Sequence, residues 1–196
     1  MLADILARVQ KDRPHVLDRL IDHFGSPSAI LQATPERLLA VAGSDGEDIA
    51  EFLIAAREFV DFALRFDALS ADVRVDNPQL SHFLRFRIGS ESRETLYAIF
   101  ADVRGRFIKD EMLGVGAHSS HSSRIADILR RAVELHAGGL LLAHNHPSGS
   151  AKPSRADLKA TARLRELADG LDIRLIDHLI VTRSTVYSMV RKRVIE

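Results

Sequence analysis

The sequence predicts an α/β/α sandwich with a mixed sheet, preceded by a small all-helical domain. Three observations carry this reading. Residues up to about 68 show helical periodicity and no strand pattern. From Thr95 onward the order is strand pair, helix, strand, helix, strands, an alternation that folds as a sheet covered by helices. Between those two helices lies Gly138-Gly139-Leu140-Leu141-Leu142-Ala143, an apolar run short enough to be a buried strand. The expected organisation is a helical module over residues 1–68, a linker over 69–76 and the α/β domain over 77–196.

In chain order, a weak helix is expected near Leu2 to Val9 and a second from His15 to Phe24, stopped by Gly25. Ser26-Pro27 and Thr34-Pro35 each place an N-cap residue before a proline, so each starts a short helix. Gly43-Ser44-Asp45-Gly46 then breaks the chain before a long helix from about Glu47 to Phe66. Its stripe of Ile49, Phe52, Leu53, Ala56, Phe59, Val60 and Ala63 has helical spacing and is the expected core of the module. Asn77-Pro78 starts another helix, with Leu80, Phe83, Leu84 and Ile88 inward. A hairpin follows, Thr95 to Ala101 and Arg106 to about Leu113, turning at Asp102-Val103-Arg104-Gly105. Ser123 is the expected cap of a helix from Arg124 to His136, with Ile125, Ile128, Leu129, Ala132 and Leu135 facing the core. A helix over Leu158–Asp169, a strand Ile173–Ile176, Asp177-His178 leading into Leu179–Val181, and a last hairpin through Thr185–Val190 complete the chain.

Composition narrows the function. No apolar run approaches the length of a membrane span, and Met1-Leu2-Ala3-Asp4 lacks the basic and apolar regions of a signal peptide, so the cytoplasm is the expected location and no membrane partner is expected. The absence of cysteine excludes disulfides and thiolate zinc sites, leaving His, Asp and Glu as metal ligands. With 27 basic and 27 acidic residues there is no global attraction to nucleic acid.

The chemistry concentrates in His144-Asn145-His146-Pro147-Ser148-Gly149 and the following Pro153-Ser154-Arg155-Ala156-Asp157. The histidines sit where a buried strand ends and its loop begins, the usual place for ligands in an α/β sheet. Alternation along a strand points His144 and His146 to one side and Asn145 to the other. Two imidazoles on one side can grip one metal ion if the loop carries a third ligand, Asp157, back to them. Taken alone, Ser154 and Asp157 read as the N-cap and third residue of a capping box. Asp177 and His178 are a further polar pair in an apolar strand, able to orient a ligand from behind or to satisfy each other. His118, His121 and His136 read as surface residues.

His144-x-His146, seven residues, Ser154, two residues and Asp157 together resemble the JAMM motif of the MPN metallopeptidases, and the fuller run HNHPSG…PSRAD is similar to the RadC branch of that superfamily. The resemblance spans roughly residues 75–190. It implies an MPN-type, cytidine-deaminase-like fold for the second domain and a zinc ion held by His144, His146 and Asp157. It also implies a water-activating glutamate upstream, for which Glu94 is the match and Glu91 the poorer one, and an oxyanion-stabilising role for Ser154. RadC relatives often carry a helix-hairpin-helix module first. Here its usual Gly-x-Gly is stretched to Gly43-Ser-Asp-Gly46 with Asp45, Glu47 and Asp48 where a phosphate would sit, and residues 1–68 hold seven Lys/Arg against twelve Asp/Glu, a net of −5. Before the helix, where relatives carry a His-Pro-Arg-Glu-like run, this chain has His121-Ser122-Ser123-Arg124, and Arg124 alone is left to face the site.

Two classes of function follow. One is a zinc metallopeptidase or isopeptidase-type amide hydrolase acting on a peptide or protein. The other is a protein of DNA repair or recombination, with metal-dependent nuclease activity or none; the acidic module speaks against DNA as a partner.

Overall fold

The structure, a computed structural model, describes residues 13–70, 72–115 and 121–195. The helix expected at Leu2–Val9 and the surface position of His118 lie outside these residues, as do the side chains of His121 and Arg124. The chain divides into two compact units, Met1–Phe62 and Ala63–Glu196.

In the first unit, three short helices follow the capping signals. α1 (Pro14–Phe24) ends at Gly25 in the left-handed conformation, α2 (Pro27–Gln32) is capped by Ser26, and α3 (Pro35–Ala42) by Thr34. The Ser26 Oγ accepts from the Ala29 N–H at 3.2 Å and the Thr34 Oγ1 from the Arg37 N–H at 3.4 Å. Gly46 then packs so close that a Cβ there would meet Val16 Cγ1 at 2.5 Å and the Ala42 carbonyl at 2.7 Å, so only glycine fits. The core of this unit includes Val16, Leu20, Ile30, Leu38, Ala42, Ile49 and Leu53.

The long helix α4 (Glu47–Leu69) corrects the expected stripe. Ile49 and Leu53 are buried, but Phe52, Phe59 and Val60 are exposed, Phe59 by 71%. The helix runs for 23 residues, longer than the three short helices whose side chains form that core, so only its first two turns meet it.

The second unit is the sandwich. Its six-stranded sheet has the order β2-β1-β3-β4-β5-β6, with β1 (Thr95–Ala101), β2 (Phe107–Val115), β3 (Gly139–Asn145), β4 (Arg174–Val181), β5 (Val186–Ser188) and β6 (Arg193–Val194). Among the described residues only β3 and β4 pair in parallel, so the sheet is mixed. α5 (Pro78–Arg87) covers one face, where Leu80, Phe83 and Leu84 pack on Tyr97, Ile99, Leu141 and Ala143. The stretch expected as a linker brings Leu69, Val73 and Val75 into this same core, because the Val73 N–H donates to the Gly105 carbonyl and Asp72 bridges to Arg106. The opposite face is covered by α6 (His121–Glu134) and α7 (Arg155–Asp169), with Ile125, Ile128, Leu129, Leu164 and Ala168 against Phe100, Leu140 and Leu142. α6 starts at His121, which puts Ser123 inside its first turn rather than at its cap.

β4 contains one irregularity that matters for the site. Leu140 pairs with Leu175 but Leu141 pairs with Asp177, leaving Ile176 as an extra residue. Such a bulge shifts the alternation by one, so His178 falls opposite Leu142, on the face covered by α6 and α7. Asp177 falls on the other face with Leu141.

Candidate metal centre

β3 carries its residues alternately to the two faces, and His144 emerges on the α6/α7 side beside Leu142. The chain follows the strand one residue further, where the His146 N–H donates to the Val181 carbonyl at 3.0 Å. It then turns through Gly149, at φ 78°, a left-handed value that glycine adopts without strain. The His146 Nδ1–H donates to the Ser150 carbonyl at 2.7 Å, so in the neutral ring its Nε2 is the lone-pair nitrogen.

Asp157 arrives by the capping box expected from the sequence. Its N–H donates to Ser154 Oγ at 3.1 Å, and the Ser154 N–H donates to its Oδ2 at 2.7 Å. This fixes the carboxylate at the head of α7, where Oδ1 is 3.3 Å from His144 Nε2 and Oδ2 is 3.4 Å from His146 Nε2. The two Nε2 atoms are 3.0 Å apart.

These spacings can be compared with a metal's requirements. Zinc at about 2.0–2.2 Å from nitrogen and oxygen ligands, with tetrahedral angles, separates neighbouring ligand atoms by about 3.4 Å. The observed separations of 3.0, 3.3 and 3.4 Å need little adjustment. Among the described residues, this His-His-Asp group could hold a metal ion, and its two nitrogens and one carboxylate suit zinc.

A pocket of about 90 Å³ opens beside it, lined by Glu94, His144, Asp157 and His178 at the polar end and by Leu96, Ile128, Leu142 and Leu164 on its apolar wall. Glu94 is exposed at the entrance to β1 and shares this pocket with two of the three proposed ligands. Glu91 is not among the described residues lining the pocket, and its carbonyl accepts from Asn145 Nδ2 at 2.9 Å. Ser154 caps α7 and is not among the described residues lining the pocket. Its Oγ accepts a hydrogen bond there, which leaves the hydroxyl proton for another acceptor.

Asp177 and His178 do not satisfy each other through their side chains, because the bulge sends them to opposite faces. The Asp177 carboxylate accepts from the His178 backbone N–H at 2.7 Å, the Val190 N–H at 3.1 Å and the Ser188 hydroxyl at 2.5 Å, which ties β5 to β4. The His178 ring instead reaches His144, Nε2 to Nδ1 at 2.9 Å. His178 is 4% exposed and its described side-chain partners, His144 and Thr161, include no carboxylate, so the buried ring is neutral, and burial pushes its pKa down to about 3. His136 is exposed, as expected.

Sequence reasoning missed two contributors. The fully buried Asn145 accepts from the Thr95 N–H at 2.7 Å and donates to the Glu91 and Arg93 carbonyls at 2.9 and 3.2 Å, pinning the segment that carries Glu94. Thr161, one helical turn after Asp157, touches both the Asp157 carbonyl and His178. Its signal was a polar residue four positions from Asp157, on the buried side of an amphipathic helix.

The RadC-like JAB domain matches residues 75–194. A UPF0758 protein of Variovorax paradoxus (strain S110) is 36% identical over 174 residues, covering 88% of this chain and 77% of that protein. UPF0758 proteins of Paraburkholderia xenovorans (strain LB400) and Paraburkholderia phytofirmans are 34% and 35% identical, covering 88% and 90% of this chain and 68% of each relative. With the mixed sheet, the helical N-terminal region and the His-His-Asp cluster at the end of β3, these matches establish that the chain belongs to the RadC family.

Proposed function

We propose that this protein is a zinc-dependent hydrolase of amide bonds, a metallopeptidase or isopeptidase acting on a peptide or protein substrate. The observation that carries the reading is the convergence of His144 Nε2, His146 Nε2 and the Asp157 carboxylate within 3.0–3.4 Å, an arrangement of lone pairs and negative charge that calls for a cation. A zinc ion there would supply a bound water with its pKa lowered to about 7 and a Lewis acid for the substrate carbonyl.

The chain's own residues supply the rest. Glu94, across the same pocket, accepts the proton of the attacking water and returns it to the leaving nitrogen. Asn145 holds the backbone on which Glu94 rides. The Ser154 hydroxyl, at the head of α7, donates to the oxyanion of the tetrahedral intermediate. The apolar wall of Leu96, Ile128 and Leu142 limits water around the reacting bond.

The test is metal content. Carefully purified protein is expected to carry close to one zinc per chain, and His144→Ala/His146→Ala to lose it while keeping its fold. Equal zinc in the two proteins would overturn the proposed ligand set.

A further inference from the structure

We propose that Thr161 and His178 are positioning residues that fix which nitrogen of His144 carries its proton, and so aim its Nε2 lone pair at the metal position. The inference rests on the metal-site reading above. Its observation is a chain of three short hydrogen bonds that runs from the Asp157 carbonyl to His144. Thr161 Oγ1 lies 2.7 Å from the Asp157 carbonyl and 2.6 Å from His178 Nδ1, and His178 Nε2 lies 2.9 Å from His144 Nδ1.

Proton counting sets the direction of every bond. A carbonyl oxygen only accepts, so the single Thr161 O–H proton goes to Asp157. The Thr161 oxygen then accepts from His178 Nδ1–H, and a neutral imidazole protonated at Nδ1 offers a lone pair at Nε2. That lone pair accepts from His144 Nδ1–H, which leaves the His144 Nε2 unprotonated toward His146 and Asp157. Met189 Sδ lies 3.4 Å from the same hydroxyl, but a thioether is too weak an acceptor to change the count.

Burial makes the arrangement hard to replace. His178, Thr161 and His144 are 4%, 7% and 8% exposed, so bulk water has poor access to any partner that is removed. The opposite tautomers would put a proton on His144 Nε2, where it points at the Asp157 carboxylate and blocks a metal. The β4 bulge is what permits the chain at all, since without the extra residue Ile176 the side chain of His178 would face α5. α7, β4 and β3 thus jointly set one proton.

The experiment uses the full chain with Thr161→Ser, Thr161→Val, His178→Gln and His178→Leu. Zinc affinity is measured by chelator competition, and the His144 ring-nitrogen shifts of metal-free protein report which nitrogen is protonated. The serine hydroxyl keeps the bond, and the glutamine amide can accept from His144 while donating to Thr161, so both variants should bind zinc within about twofold of wild type. Thr161→Val and His178→Leu should weaken zinc binding by about 10–100-fold, the range for outer partners of metal-bound histidine. In Thr161→Val the His144 proton should move from Nδ1 to Nε2. Wild-type zinc affinity in Thr161→Val, with the proton still on Nδ1, would overturn the proposal. If that variant does not fold, the metal-free wild type decides: a proton on Nδ1 supports the proposal and one on Nε2 overturns it. The ring-nitrogen result stands even if zinc proves not to bind through His144, so failure of the metal reading is told apart from failure of this one.

Discussion

Glu94 occupies an unusual position for a residue given the central proton transfer. It is exposed and precedes the first strand, yet the backbone of its neighbours Glu91, Arg93 and Thr95 is held by three hydrogen bonds to a fully buried amide, Asn145. Geometry at that point is therefore set by the same strand that carries His144, one residue earlier. Glu94→Gln keeps shape and hydrogen bonding but cannot accept the proton of water at neutral pH. Because Glu94 is not a proposed ligand, the variant should retain zinc and fold, while hydrolysis of a peptide substrate should fall by about 10²–10⁴-fold. Steady-state kinetics on zinc-loaded protein checks this, and unchanged turnover would remove Glu94 from the mechanism. The residue scale is also where the sequence speaks most clearly. His144 and His146 are two apart on a strand, and Ser154 and Asp157 are a capping-box pair; both patterns are local, so spacing reveals them. Asn145 and Thr161 act across about 50 and 17 positions of sequence, and no local pattern announces such partners.

Among the elements, the β2–α6 contact shows how charge fastens a helix to the sheet that bears the site. Arg131 on α6 donates from Nε and from its terminal nitrogen to both oxygens of Glu111 on β2, the shortest at 2.6 Å, and Lys109 adds an ion pair at 3.0 Å. The Arg131 hydrogen bonds, against a smaller cost of burial, pull the Glu111 pKa from 4.5 to about 2. A depressed carboxylate stabilises the fold above its unfolded pKa and loses that contribution as pH falls through the folded value. Glu111→Gln should therefore be less stable than wild type near neutral pH, with the gap closing between about pH 4.5 and about pH 2. Urea unfolding across that range measures it; a gap that stays constant would show that Glu111 contributes through shape alone. Most elements were legible because capping, proline and glycine signals are local. The start of α6 was not, since Ser123 looks like a cap but the helix begins two residues earlier. The β4 bulge was not either, because the adjacent polar pair Asp177-His178 does not say by itself which residue is the extra one, and only pairing with β3 reveals it as Ile176.

At the scale of the molecule, the sequence showed a helical part before an α/β part, and the structure gives each part its own core. The extent of that first core was not legible: a stripe of Phe52, Phe59 and Val60 at helical spacing marks an apolar face, but not whether anything covers it. Charge was more informative. Residues 1–68 carry a net of −5, and the acidic residues at the head of α4 already hold the nearby cations. Asp45 accepts from His15 at 2.7 Å and Arg19 at 2.8 Å, and Asp48 pairs with Arg13 at 2.5 Å. A phosphate approaching Gly43–Gly46 would meet carboxylates at the helix terminus and would have to displace these pairs. Specific and non-specific DNA binding both draw heavily on phosphate neutralisation, and a protein making 6–10 phosphate contacts loses about 10³–10⁵ in affinity between 50 and 200 mM salt. The full chain should instead bind duplex DNA weakly at physiological salt, with a shallow dependence of affinity on salt concentration. Fluorescence anisotropy across that salt range checks it. Tight binding with a steep slope would mean that backbone amides of the hairpin outweigh the charge around them, and would move DNA from an unfavoured partner to a principal one.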